Sequence, residues 1–145
     1  MNGRLFLNNV SLGLYAQLIH ESEGGGSFAR LKALGLLLRR PGGLGIAVEG
    51  RNVHARVIVA SNNHYELDSV PLGKRARLDE GVLYLYIAHG WLPSSWEEQR
   101  LQTFTVDARA GELEAAIDGE ATRLETPLRF EIEPAALRVL LPERR

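Results

Sequence analysis

The segment Ala116-Ile117-Asp118-Gly119-Glu120 sets two carboxylates on either side of a glycine, at the end of a strand-like run. Residues two apart in extended chain face the same side, so Asp118 and Glu120 are candidates to share one site. Like charges held close raise at least one pKa, and a carboxylate tuned in that way is a usable general base toward an alcohol. The same spelling has a plainer meaning. Asp-Gly is the favoured pair for a two-residue hairpin turn, because glycine takes φ > 0 without steric cost. Spacing alone leaves both readings open.

Two asparagine pairs are the next unusual feature. Asn8 and Asn9 interrupt the apolar run FLNNVSLG, and Asn62 and Asn63, in VASNNHY, follow the end of another strand-like run. Amides at strand ends satisfy neighbouring backbone groups or, lining a cleft, orient a polar headgroup. The turn KRARLDEG, residues 74 to 81, crowds Lys74, Arg75, Arg77, Asp79 and Glu80 ahead of an apolar run. It is either a solvated charge cluster or a seat for a hard cation, since Mg²⁺ and Ca²⁺ prefer acidic side chains and loop carbonyls.

Other chemistries are poorly encoded. GGGS at 24 to 27 precedes a helix-like segment, but no good strand leads into it and no GKS or GKT follows, so it reads as a loop and not a phosphate cradle. Ser11 sits in VSLG, outside any GxSxG elbow. His20, His54, His64 and His89 are scattered singly, without metal-ligand spacing. The absence of cysteine removes thiolate nucleophiles, disulfides and Cys-based zinc sites, and fits a reducing compartment.

These residues must be positioned by regular elements. The stretch SFARLKALGLLLRRPGG, 27 to 43, predicts a helix over 27 to 40: Ser27 is an N-cap, Phe28, Leu31, Leu34, Leu37 and Leu38 recur at helical spacing, and Arg39, Arg40, Pro41 and Gly42 end it. Such a helix faces the core or, being basic and amphipathic, lipid or a partner. Before it, HESEGGGS, 20 to 27, suits a mobile loop. Strands are expected over 43 to 50 and 53 to 60, joined as a hairpin through Arg51 and Asn52, and over 82 to 88, 103 to 108, 112 to 117, 128 to 133 and 136 to 141. VLYLYIA is apolar on both faces, like a doubly covered central strand, whereas LRFEIE alternates cleanly. PSSWEEQRL, 93 to 101, predicts a short helix with Ser95 and Glu98 in a capping box. The expected fold is α+β, mainly β: a two-layer antiparallel sandwich with one longer and one short helix.

A length of 145 residues with 45% hydrophobic content bounds this to one domain, residues 1 to 145. Seventeen basic against eighteen acidic residues leave a net charge of -1, so no global field draws in a polyanion and nucleic acid is not an expected partner. No signal-type stretch follows Met1, and no apolar run is long enough to span a bilayer. The expectation is a soluble cytoplasmic chain whose only membrane contact would be peripheral.

Taken together, FLNNVSLG, VASNNHY, ARLDEGVLYLY and AIDGEATRLETPLRFEIEPAALRVLLP occur in the order found in the diacylglycerol kinase family of soluble lipid kinases, with its sphingosine kinase relatives. The chain resembles the C-terminal domain of that family over essentially its whole length. The resemblance implies a β-sandwich-like domain packed against an N-terminal nucleotide-binding domain, with the active site in the cleft between. It implies Glu120 as the base toward a lipid hydroxyl and Asp118 as its polar or metal-linked neighbour; Asn8, Asn9, Asn62 and Asn63, by their residue type, are the candidates to bind the substrate's headgroup. It also implies a structural Mg²⁺ held by Glu80 with the carbonyls of Arg77 and Val82, although Glu80 stands where the commoner pattern is LDDG.

No GGDGT nucleotide-binding signature occurs in the chain. The resemblance therefore implies that ATP and Mg²⁺ belong to a longer enzyme, that this chain alone is inactive, and that the surface facing the other domain is apolar or covered by a second copy. The rival is a free-standing β-sandwich module that binds a ligand or protein, with DGE as a hairpin only. The lipid is not named by sequence, because diacylglycerol, sphingoid bases and other lipid alcohols all offer a hydroxyl to interchangeable apolar pockets.

Overall fold

The computed structural model describes residues 1–13, 45–65, 77–89 and 96–137. In them run β1 (Asn9–Gly13), β2 (Ile46–Val48), β3 (Arg51–Val53), β4 (Val57–Asn62), β5 (Leu83–Ala88), β6 (Trp96–Leu101), β7 (Thr103–Ala108), β8 (Glu112–Ile117), β9 (Glu120–Glu125) and β10 (Leu128–Glu131). All pairings are antiparallel. One sheet has the order β6-β5-β4-β1-β8-β9 and the other β10-β7-β2-β3. The mainly β sandwich expected from the alternation is present. The expected helix over 27 to 40, the loop over 20 to 27 and most of the strand over 136 to 141 lie outside the described residues.

The core is what alternation dictates. Phe104, Val106 and Ala108 of β7 and Leu128 and Phe130 of β10 turn inward, while Arg129 and Glu131 stay in water. Opposite them stand Val10 and Leu12 of β1, Ile58 and Ala60 of β4, and Leu83, Leu85 and Ile87 of β5. Phe104 and Phe130 are register partners and stack with centroids 4.6 Å apart, so each contributes packing beyond its buried area. All six residues of β5 are buried, as its two-faced apolar sequence requires.

Two local expectations are corrected. The short helix over 93 to 101 is instead strand β6 over Trp96–Leu101, in unbroken register with β5 from Ala88↔Trp96 to Leu83↔Leu101. A fully buried strand cannot leave a row of backbone N–H and C=O groups bare, so pairing overrides the helical preference of Glu, Gln and Arg. The capping-box Glu98 pairs with His64 across 3.3 Å instead. The hairpin turn also falls earlier than Arg51 and Asn52. Glu49 and Gly50, at φ 50° and 74°, form it, and Arg51 opens β3. The strand read over 53 to 60 is divided accordingly: β3 ends at Val53 in the smaller sheet and β4 begins at Val57 in the larger.

The exposed edge strand β6 is fastened to β5 by a second histidine. His89 Nδ1 faces the His54 carbonyl at 2.8 Å and Nε2 faces Glu97 at 3.3 Å, so both nitrogens are called on to donate. The His54 carbonyl, then Glu97, raises the His89 pKa above 6.5, while Gln99, then His89, lowers that of Glu97 below 4.5.

Two outcomes follow. Phe130→Ala should lower the unfolding free energy by about 3–5 kcal/mol in denaturant titration, the usual cost of truncating a buried phenylalanine. The His89 contribution is complete below pH 6.5 and is lost as pH rises through its raised value; that of Glu97 is complete above pH 4.5 and is lost as pH falls through its lowered value. Amide exchange in β6, corrected for intrinsic rates, should therefore be slowest between those values, and His89→Ala should remove the alkaline loss of protection. The effect should be small, because both partners are about half exposed.

Candidate functional site

At one end of the six-stranded sheet β1 and β5 begin, β4 ends, and β8 turns into β9. All four segments singled out in the sequence meet there. Ile117 pairs with Glu120, leaving a two-residue turn in which Asp118 and Gly119 both take positive φ, 51° and 94°. That is the hairpin Asp-Gly favours. Because Asp118 is in the turn and not in extended chain, the same-side argument for Asp118 and Glu120 does not apply to it.

The Asp118 carboxylate reaches across to the segment entering β1. Its Oδ2 accepts the Leu7 N–H at 2.7 Å, and its Oδ1 accepts those of Asn8 at 2.7 Å and Asn9 at 3.0 Å. The Asp118 N–H returns a bond to the Asn9 carbonyl at 2.9 Å. Hydrogen bonds to an ionised acceptor are roughly twice as strong as neutral ones, so one side chain fixes three consecutive residues. Asn62 holds the same segment from the other side: its Nδ2 donates to the carbonyls of Phe6 and Leu7 at 3.1 and 3.0 Å, and its N–H to that of Asn8 at 3.0 Å.

Asn8 and Asn9 are joined through a residue that the sequence reading passed over. The Tyr65 hydroxyl accepts from Asn9 Nδ2 at 2.6 Å and donates to Asn8 Oδ1 at 3.0 Å, and the Tyr65 N–H donates to the Tyr86 hydroxyl at 2.8 Å. Tyr65 closes the VASNNHY stretch, and its spacing from Asn62 and Asn63 was the available signal. Burial raises the Tyr86 phenol, which therefore stays neutral and acts as an acceptor here.

Asn63 is buried and left-handed at φ 66°, and it engages the RLDEG loop. The Glu80 N–H donates to Asn63 Oδ1 at 2.9 Å, and Glu80 Oε2 accepts the His64 N–H at 3.0 Å. The Asn63 N–H meets the Val82 carbonyl at 3.4 Å. Two of the three oxygen donors implied for a cation, Glu80 and the Val82 carbonyl, are thus already engaged, and Asp79 pairs with Arg77 at 3.1 Å. No group of three His, Cys, Asp or Glu side chains that could hold a metal occurs among the described residues.

Glu120 is placed differently from the rest. It is exposed, and its side chain makes no hydrogen bond or ion pair among the described residues. Its register partner Ile117 is itself the partner of Val10, so Glu120 stands two strands, about 10 Å, from β1. Partners in an antiparallel pair share a face, which puts Glu120 on the face of Ile117 and Val10, at the rim of the sandwich interior. Asn9, next to Val10, belongs to the opposite face. The structure therefore gathers Asp118, Asn8, Asn9, Asn62, Asn63 and Glu80 into one network, with Glu120 beside it. Ser11 is buried in β1 with its hydroxyl unpartnered, unlike a nucleophile presented at a turn. Exposed Leu5, Leu7 and Leu78 lie on the same segments; Pro134, near Leu137, approaches Gly81.

No family profile matches the sequence, and no curated protein is similar to it. The fold does have solved counterparts. Three structures from Bacillus anthracis str. Sterne, described as diacylglycerol kinases and provisionally so for two of them, match 92% of this chain. TM-scores are 0.57, 0.56 and 0.58 at 16%, 17% and 17% identity. This chain spans about half of their lengths: 52%, 52% and 47%. At that identity the likeness is one of fold. No helix among the described residues is long and apolar enough to cross a membrane.

Asp118→Asn leaves one acceptor oxygen where the carboxylate had two. The amides of Leu7, Asn8 and Asn9 should exchange with solvent faster in this variant, by NMR, while those of β7 and β10 keep their wild-type rates.

Proposed function

We propose that this chain is the lipid-binding, base-supplying half of an ATP-dependent lipid kinase of the diacylglycerol kinase type. The observation that carries the reading is the convergence of the four family-like segments on one hydrogen-bonded network at one sheet end. The fold likeness supports it, as does the half-length match, which fits a second domain bearing the nucleotide site. Exposed Leu5, Leu7, Leu78 and Leu137 are apolar surface suited to that partner domain.

In this reading the two acids have separate roles. Glu120, exposed and with no side-chain partner among the described residues, takes the proton of the lipid hydroxyl as the hydroxyl oxygen bonds to the γ-phosphorus and the bond to the β–γ bridging oxygen breaks, releasing ADP. Asp118 is a positioning residue: it is consumed by three amides and sets the turn from which Glu120 projects. Asn8 and Asn9, held by Tyr65, present amide groups to the lipid headgroup, with Asn62 and Asn63 bracing the segments around them. Magnesium, brought with ATP, would neutralise charge on the transferring phosphoryl group.

The rival, a binding module without catalysis, is favoured by one observation: the Asp118 bonds explain the DG turn with no chemistry at all. Glu120→Gln separates the two. In the protein that joins this chain to its nucleotide-binding domain, transfer of labelled phosphate from ATP to a panel of lipid alcohols should fall by about 100-fold or more in kcat, the range of general-base catalysis. Melting should be unchanged, since the exposed side chain has no partner among the described residues to lose. Wild-type turnover in this variant would remove the base assignment, and absence of transfer by the wild type to any lipid alcohol would favour the module.

A further inference from the structure

The loop over residues 77 to 82 should, by resemblance, close on a cation. In this chain its closing contacts are of another kind. Glu80 and the pair Asn63-His64 exchange hydrogen bonds in both directions: the Glu80 N–H donates to the Asn63 side chain, and the Glu80 side chain accepts from the His64 N–H. A third bond joins the Asn63 N–H to the Val82 carbonyl. The arrangement has the logic of a capping box, in which each side chain satisfies the other segment's backbone donor.

We infer that this reciprocal staple between Asn63-His64 and Glu80 closes the 77–82 loop in place of a metal ion, so that the loop's structure is independent of divalent cations. Three observations support it besides the bonds. Asn63 is among the few buried polar residues and sits at φ 66°, a region asparagine tolerates better than most residues, so its amide is held in place by the backbone. The Ser61 hydroxyl donates to the Asn63 carbonyl at 3.0 Å, bracing that conformation. The loop's other acid, Asp79, is diverted to Arg77.

A cation drawing on Glu80 and the Val82 carbonyl would compete with the His64 and Asn63 N–H groups for the same oxygens, in a partly buried setting where unpaired donors are costly. Mg²⁺ demands near-octahedral geometry and is usually bound through one or two carboxylates, and here one carboxylate is left and it is shared. The extra methylene of Glu80 relative to aspartate is what carries its Oε2 to the His64 amide. The inference does not rest on kinase activity. If the kinase reading also holds, the enzyme's need for magnesium is that of its nucleotide alone.

The test is thermal unfolding of the whole chain, followed by circular dichroism at matched ionic strength, in excess EDTA and in millimolar Mg²⁺ or Ca²⁺. The wild-type midpoint should be the same in all three. Glu80→Gln keeps the side-chain length and an acceptor oxygen, so it should melt near the wild type, whereas Glu80→Asp and Asn63→Ala should melt lower by about 3–6 °C, as for loss of one or two hydrogen bonds. A wild-type midpoint that rises in Mg²⁺ or Ca²⁺, with the rise abolished in Glu80→Gln, would overturn the inference. So would a Glu80→Asp variant as stable as the wild type in EDTA, and this pair decides the matter even where Asn63→Ala fails to fold.

Discussion

A single carboxylate that accepts three successive backbone N–H groups ties the sheet end together. Asp118 belongs to the β8–β9 hairpin, and the amides it holds belong to the entry of β1, the strand between β8 and β4. Until that segment is fixed, the amides of Asn8 and Asn9 have no defined direction, and the Tyr65 hydroxyl has nothing to bridge. The positions of the candidate binding residues therefore follow from one turn whose conformation depends on glycine beside aspartate. A motif that invites a purely chemical interpretation is, in its first residue, architectural. Its third residue, Glu120, pairs through its backbone with Ile117, while its exposed side chain has no partner among the described residues.

Much of the architecture was legible in the sequence because burial imposes period two. LRFE shows its inward residues by alternation, TFTVDA reads as a strand, and VLYLYIA as a strand buried on both faces, as all three are. What failed was local. WEEQRL carries good helix formers after a serine, and nothing within those residues reveals that a buried strand elsewhere needs an edge partner. The turn falls at Glu49-Gly50, two residues before the Arg51-Asn52 pair that separates the β-rich runs, because left-handed backbone is the deciding constraint.

The site was legible as a set of segments but not as a set of roles. Residue types singled out Asp118, both asparagine pairs and Glu80, and the fold brings them to one end. Spacing gave no sign that Asp118 would face Leu7 to Asn9 and not Glu120, since that depends on which strands are neighbours. Tyr65 was missed because its place beside Asn62 and Asn63 is a weak signal: an isolated aromatic in a polar stretch has no periodicity. Its function depends on Asn8 and Asn9, far away in sequence.

The strand order also bears on how the larger sheet comes together. Antiparallel contacts link β4 to β5, β5 to β6 and β8 to β9, each pair successive among the described strands. β1 has no such neighbour: it joins Asn9 to Ser61 on one flank and Leu12 to Ala115 on the other. Among the described residues, the groups β4-β5-β6 and β8-β9 are therefore joined into one sheet through β1, whose partners on both flanks are distant in sequence. Closure of those long loops, more than formation of the β8–β9 turn, is the entropic hurdle of assembly.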